Sequence, residues 1–169
     1  MMKFEFSIYP SDLLGNIYVV SDGEAIVSVQ LFEEDWRELC QQYEMIKSRS
    51  SLLENAVSQL DEYFRGRRKT FNLPLKWKGT DFQEQVWQAL CEIPYGTTVS
   101  YSDIASKIGR PKAVRAVGQA NRANELAIVV PCHRVIGKNR ALTGYAGSRI
   151  DVKAKLLKLE QRYSMTEKN

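Results

Sequence analysis

Residues 129–135 read VVPCHRV and set a cysteine, the chain's one histidine and an arginine side by side. A thiol with an imidazole and a guanidinium for neighbours has the makings of an activated nucleophile. The thiolate is the reactive form, and basic or cationic groups favour it. The apolar run at residues 127–130 ends at Pro131, so Cys132 sits where buried chain turns outward toward a basic surface. Neighbours in an extended chain point to opposite faces, and in that conformation His133 cannot take the thiol proton directly. A packing role for Cys132 stays open on these residues alone. Cys40 and Cys91 read as small buried hydrophobes. Three widely spaced cysteines form no disulfide framework and fit a reducing setting. With one histidine and no CxxC pair, neither a structural metal site nor a cofactor is expected.

Charge separates along the chain. Residues 1–75 hold 8 Lys and Arg against 12 Asp and Glu, a net of −4, while residues 76–169 hold 16 against 8, a net of +8. Residues 95–150 alone carry 9 basic and 2 acidic residues. A basic block around a candidate nucleophile points to a polyanionic partner, with a merely solvated surface as the plain alternative. No apolar run reaches 18 residues, and MMKFEFSIYP lacks a basic stretch followed by an apolar one. The expectation is a cytoplasmic protein with no membrane contact.

The elements that must position Cys132 follow from pattern. KFEFSIY, LLGNIYVV and AIVSVQLF are β-rich runs, the last two joined across Asp22-Gly23, a hairpin signal. A helix is expected near residues 34–43 and another over residues 51–64. In the latter, Leu52, Leu53, Ala56, Val57, Leu60 and Phe64 share a face. RGRRKTFNLPLKW reads as a basic connector with one strand. Thr80 caps the helix DFQEQVWQALCEI, lined by Phe82, Val86, Leu90 and Ile93. Residues 100–109 and the helix PKAVRAVGQANRAN, with Pro111 in its first position, form a helix-turn-helix pattern. Val114 and Val117 face inward; Lys112, Arg115, Gln119 and Arg122 face outward. Gly118 in mid-helix is acceptable where something must approach the backbone closely. Two domains are expected, residues 1–75 and 76–169. The first is an α/β unit with a small antiparallel sheet plus helix. The second is mostly helical.

PCHRV, preceded by RAVGQANRAN and followed by GYAG, resembles the active-site signature of the O6-alkylguanine-DNA alkyltransferases, the methylated-DNA–protein-cysteine methyltransferases. TDFQEQVWQALCEIPYGTTVSYSDIA and KAKLLKLE extend the likeness over residues 80–160, and the N-terminal part matches the family's ribonuclease H-like domain in outline. The resemblance implies a winged helix-turn-helix in the second domain. It further implies a DNA repair enzyme that flips a damaged nucleotide out of the duplex. The alkyl group passes irreversibly, once per molecule, from O6-alkylguanine (and O4-alkylthymine) to Cys132. On the same ground His133 acts through a bound water, Glu160 orients the imidazole and Asn124 braces the turn before an active-site strand. Tyr101 bonds the flipped base and aids protonation of the leaving guanine. Arg115 fills the vacated stack. Lys112, Gly118, Gln119, Arg122 and Arg134 meet DNA, and Val135, Tyr145 and Ala146 border the alkyl pocket. The implied partner is double-stranded DNA carrying the lesion, bound by a monomer that clusters along it.

Two other classes compete. A non-enzymatic lesion binder of the same fold would replace the cysteine, and Cys132 argues against it. A cysteine hydrolase needs thiol and imidazole in direct contact plus an oxyanion hole, which the adjacency of the chain's one histidine makes hard to reach.

Overall fold

Strand-forming residues and two glycine turns start the fold. In the computed structural model, which describes residues 1–137 and 148–166, β1 (Lys3–Ser11), β2 (Gly15–Ser21) and β3 (Ile26–Gln30) make an antiparallel meander. Gly15 and Gly23 supply positive φ at its turns. Asp22 closes the second turn by accepting the backbone N–H groups of Glu24 and Ala25 through Oδ1. After α1 (Glu33–Gln42), β4 (Glu44–Lys47) lies parallel to β1, so the order β3-β2-β1-β4 is mixed rather than purely antiparallel. The sequence hides this strand because EMIK is short and half charged. α1 supplies the crossover that a parallel pairing requires.

α2 (Ser51–Phe64) is capped by Ser50 and buries Leu53, Ala56, Leu60 and Tyr63 within this unit. Buried Gln59 completes it from an unexpected polar position. Its amide accepts from Asn72 N–H and donates to Asn72 O. The strand expected in the following connector shrinks to one bridge, Leu75 to Ile26. Pro74 has no N–H to give a ladder, and Gln59 already occupies the backbone groups of Asn72.

The second unit starts at α3 (Asp81–Cys91), entered through a capping box in which Thr80 and Gln83 satisfy each other's backbone N–H. Val86, Leu90 and Ile93 are buried, and the Trp87 indole donates to Ala120 O at 2.8 Å. β5 (Val99–Ser100) leads into α4 (Tyr101–Lys107), capped by Ser100. α5 (Val114–Arg122) begins three residues after Pro111 and not at it. Ala113 N–H donates to Arg110 O at 2.9 Å, which puts Pro111 second in a tight turn, where its fixed φ also fits. A 3-10 turn (Cys132–Arg134), β6 (Val135–Ile136) parallel to β5, and α6 (Ser148–Thr166) complete the unit.

The two compact units are Met1–Trp77 with Glu125–Ala127, and Lys78–Asn124 with Ile128–Asn169. The sequence boundary puts residues 125–127 in the second domain. They join the first because Val29 N–H donates to Glu125 O at 2.8 Å and the Gln30 amide donates to the Glu125 carboxylate at 2.7 Å. Cys40 and Cys91 are exposed, contrary to the expected burial. Each stands on the outward side of its helix. Among the described residues no helix is long and apolar enough to cross a membrane.

Replacing Thr80 by Ala removes the acceptor for Gln83 N–H. The expected loss is about 1 kcal/mol of unfolding free energy, read from the urea midpoint at unchanged slope.

Candidate active site

The residues around Cys132 are held by their own peptide groups before any side chain acts. Pro131 has φ −81° and ψ 66°, an inverse γ-turn, and Cys132 N–H accordingly donates back to Val130 O at 2.8 Å. Arg134 N–H bonds Pro131 O, and Val135 N–H bonds Cys132 O. The expected active-site strand is therefore absent at Cys132 itself, and strand geometry starts only at Val135. In a 3-10 turn, successive side chains stand about 120° apart rather than opposed. Cys132 and His133 are both buried on this turn, at 4% and 1% exposure.

α6 brings the partner of the imidazole. Glu160 is fully buried, and its Oε2 lies 2.6 Å from His133 Nε2. Arg134 forks onto the same carboxylate, Nε to Oε1 at 2.8 Å and Nη2 to Oε2 at 3.0 Å, while its Nη1 donates to Ile93 O. Gly96 N–H adds a longer bond to Oε1 at 3.3 Å. Burial pushes the Glu160 carboxyl upward, but the hydrogen bonds from His133 and Arg134 and the Arg134 charge outweigh it and hold the group well below the carboxylate range. For His133 burial is the largest influence and lowers its pKa, against the pull of Glu160. The ring is thus neutral near pH 7. A neutral ring facing a carboxylate must carry its proton on Nε2, which leaves Nδ1 as the basic nitrogen. Arg134 makes this possible by compensating the Glu160 charge, so the imidazole need not. Its expected place among the DNA-facing residues is thereby corrected: the side chain is buried at 5% exposure.

Asn124, just beyond α5, donates from Nδ2 to Val130 O at 2.9 Å. Tyr101 stands half-buried at the first position of α4. Arg115, Gln119 and Arg122 are exposed on α5, and Lys112 is exposed in the turn before it. A Cβ on Gly118 would meet the Tyr101 ring no closer than 3.9 Å, so the protein itself leaves room for a side chain there. Val135, read as a pocket residue, is fully buried on the β5–β6 ladder. Tyr145 and Ala146 lie outside the described residues.

Sequence reasoning missed Lys153, which is fully buried with its Nζ 5.8 Å from the centroid of the Tyr101 ring. Burial lowers its pKa to about 8, opposed by the charge of Cys132. A signal for it exists. Lys153, Leu156 and Glu160 fall at helical spacing i, i+3, i+7 and form the buried stripe of α6. Two ionisable residues in such a stripe mark a site rather than a plain core.

A family model described as 6-O-methylguanine DNA methyltransferase, DNA binding domain, matches residues 81–162, and one described as 6-O-methylguanine DNA methyltransferase, ribonuclease-like domain, matches residues 6–77. A constitutive methylated-DNA–protein-cysteine methyltransferase of Bacillus subtilis (strain 168) is 56% identical over 158 residues, covering 92% of this chain and 94% of that protein. The inducible protein of the same organism is 47% identical, over 91% of this chain and 83% of its own length. Among solved structures, Mycobacterium tuberculosis OGT in complex with DNA aligns with a TM-score of 0.82 at 39% identity, over 96% of this chain and 94% of that one.

Glu160→Gln leaves the Arg134 charge buried without its counterion, and roughly 3–5 kcal/mol of stability should be lost at pH 7. The native carboxyl titrates below its unfolded value of about 4.3. Its contribution is therefore complete above that pH and fades as pH falls. Urea titrations from pH 7 to 3 should show the gap between parent and variant narrowing in the acid range.

Proposed function

The chain belongs to the 6-O-methylguanine DNA methyltransferase family, and on that premise we propose how its own residues carry out direct reversal of alkylated DNA. The observation that carries the reading is the buried His133–Glu160 pair, Nε2 to Oε2 at 2.6 Å, two residues after Pro131 turns the chain at Cys132. With its proton on Nε2, the ring offers Nδ1 to a water that takes the thiol proton. The thiolate sulfur of Cys132 attacks the alkyl carbon on O6 of guanine. A sulfur–carbon bond forms as the carbon–oxygen bond breaks. The electron pair leaves with the base, which gains a proton as guanine. The carbon–sulfur bond of the resulting thioether is not broken by attack of a thiol or of water, so the Cys132 thiolate is not regenerated and each molecule acts once. Lys153 supports the step by holding positive charge near the sulfur while the amine is protonated, which its pKa of about 8 allows at pH 7.

The O6 alkyl carbon of a stacked base is out of reach, so the nucleotide must be extruded at a cost of a few kcal/mol. The α4–α5 pair is read as a winged helix-turn-helix that lays the exposed α5 side chains against the duplex. Arg115 enters the vacated stack, Lys112, Gln119 and Arg122 contact the backbone, and Tyr101 bonds the flipped base. Gly118 allows the duplex to approach α5 closely. O4-alkylthymine is a second substrate, and the working species is a cytoplasmic monomer that clusters on DNA.

Incubation with a duplex carrying one O6-methylguanine, followed by intact-protein mass spectrometry and peptide mapping, should find a single methyl group on Cys132 and a plateau at one transfer per protein. Cys132→Ala should take none and still bind DNA. Repeated turnover, or methyl on another residue, would overturn the reading. Gly118→Ala should gain about 1 kcal/mol of helix stability and yet bind duplex more weakly, read by thermal melting and fluorescence anisotropy.

A further inference from the structure

Two carbonyls at the Cys132 turn, those of Val130 and of Cys132 itself, are held from one place, the end of α5. Asn124 Nδ2 donates to Val130 O, the carbonyl that also receives Cys132 N–H. Asn121, one turn earlier on α5, donates from Nδ2 to Cys132 O at 3.3 Å, the carbonyl that also receives Val135 N–H. Asn121 and Asn124 are three residues apart and lie on one side of the helix end. They hold the carbonyl two residues before the nucleophile and that of the nucleophile itself. The orientation of the Asn121 amide is not in question, because a carbonyl can only accept and the group facing Cys132 O must be the NH2.

We propose that Asn121 is a positioning residue for alkyl transfer: its amide couples the DNA-facing helix to the peptide plane of Cys132 and so sets the direction of the thiol. This rests on the methyl-transfer reading above. With both flanking peptide groups bonded, the Cα–Cβ direction of Cys132 has no freedom left, and a shift of α5 on DNA passes directly to the sulfur. In-line attack on carbon tolerates little misalignment, so loss of this hold slows chemistry rather than binding.

A second feature of Asn121 separates this role from ordinary packing. The side chain is 1% exposed, and its Oδ1 is enclosed with no hydrogen-bond partner among the described residues. A buried acceptor left unbonded destabilises a fold, and an apolar residue of similar volume removes that defect. Stability and activity should therefore move in different directions on Asn121→Leu.

The test uses the full chain and three proteins: the parent, Asn121→Leu and Asn121→Gln, which keeps the donor on a longer arm. Thermal midpoint, affinity for an undamaged duplex, and the single-turnover transfer rate at saturating O6-methylguanine duplex are measured. The Leu variant should melt no lower than the parent, bind duplex within about twofold of it and transfer about tenfold more slowly, with Gln restoring part of the rate. A Leu variant that transfers at the parent rate overturns the proposal. So does one whose slower transfer is matched by an equal loss of duplex affinity. Should Leu fold poorly, Gln decides alone: a rate equal to the parent's, from an amide displaced by one methylene, also overturns it. A parent that transfers no methyl group refutes the functional reading itself, an outcome distinct from these.

Discussion

A carboxylate with no access to water organises the second of this molecule's two units. Glu160 would be prohibitively costly at zero exposure if left alone. It is tolerable because both oxygens are occupied by three donors from two separate segments: His133 and Arg134 on the Cys132 turn, and the Gly96 backbone. Those bonds tie α6 to the Cys132 turn and to the turn after α3. Gly96 shows how little latitude there is. Its φ is +77°, and a Cβ there would fall 2.0 Å from the Ser164 hydroxyl oxygen of α6. The same carboxylate decides the chemistry available to the histidine. Since the guanidinium of Arg134 meets its charge, the imidazole can remain neutral with its basic nitrogen free.

A second constraint sits in the backbone approaching Cys132. Ile128 has φ +70°, unfavourable for a β-branched residue, at a cost of order 1–3 kcal/mol. It follows directly on Glu125–Ala127, the short piece held against β3 by the Val29–Leu126 bridge and the Gln30–Glu125 bond. It precedes the γ-turn at Pro131. A chain so sharply redirected twice within four residues presents Cys132 on a turn, held by hydrogen bonds at the Val130, Pro131 and Cys132 carbonyls and at the Cys132, Arg134 and Val135 N–H groups.

Helices with a clean apolar side were readable from spacing: α2 and α3 fall where the recurrence of Leu, Ala and Val places them, and Thr80 starts α3 as its cap. β4 was not readable, because its four residues have no pattern of their own and exist as a strand only beside β1. The start of α5 was misread for a related reason. Proline is equally at home in the first turn of a helix and in second place of a tight turn, and the Arg110–Ala113 bond chooses between them. Arg134 was assigned to the DNA-facing side because an arginine in sequence carries no mark of its burial, and Lys153 shows itself only through its helical spacing with Leu156 and Glu160.

What the sequence determined by itself is local: the Pro-Cys-His-Arg turn, the caps, the glycines with positive φ, and the segregation of basic charge into the second half. Each depends on a residue and its near neighbours, which fold wherever the rest of the chain goes. Only the tertiary structure decided that Glu160, 27 residues from His133, meets it within hydrogen-bond distance. It also decided that Arg134 faces inward to that carboxylate, and that Asn121 reaches the carbonyl of Cys132. These are pairings across the chain, and their strength and even the protonation of the groups depend on how completely water is excluded. That exclusion is a property of the assembled core, and no stretch of sequence holds it alone.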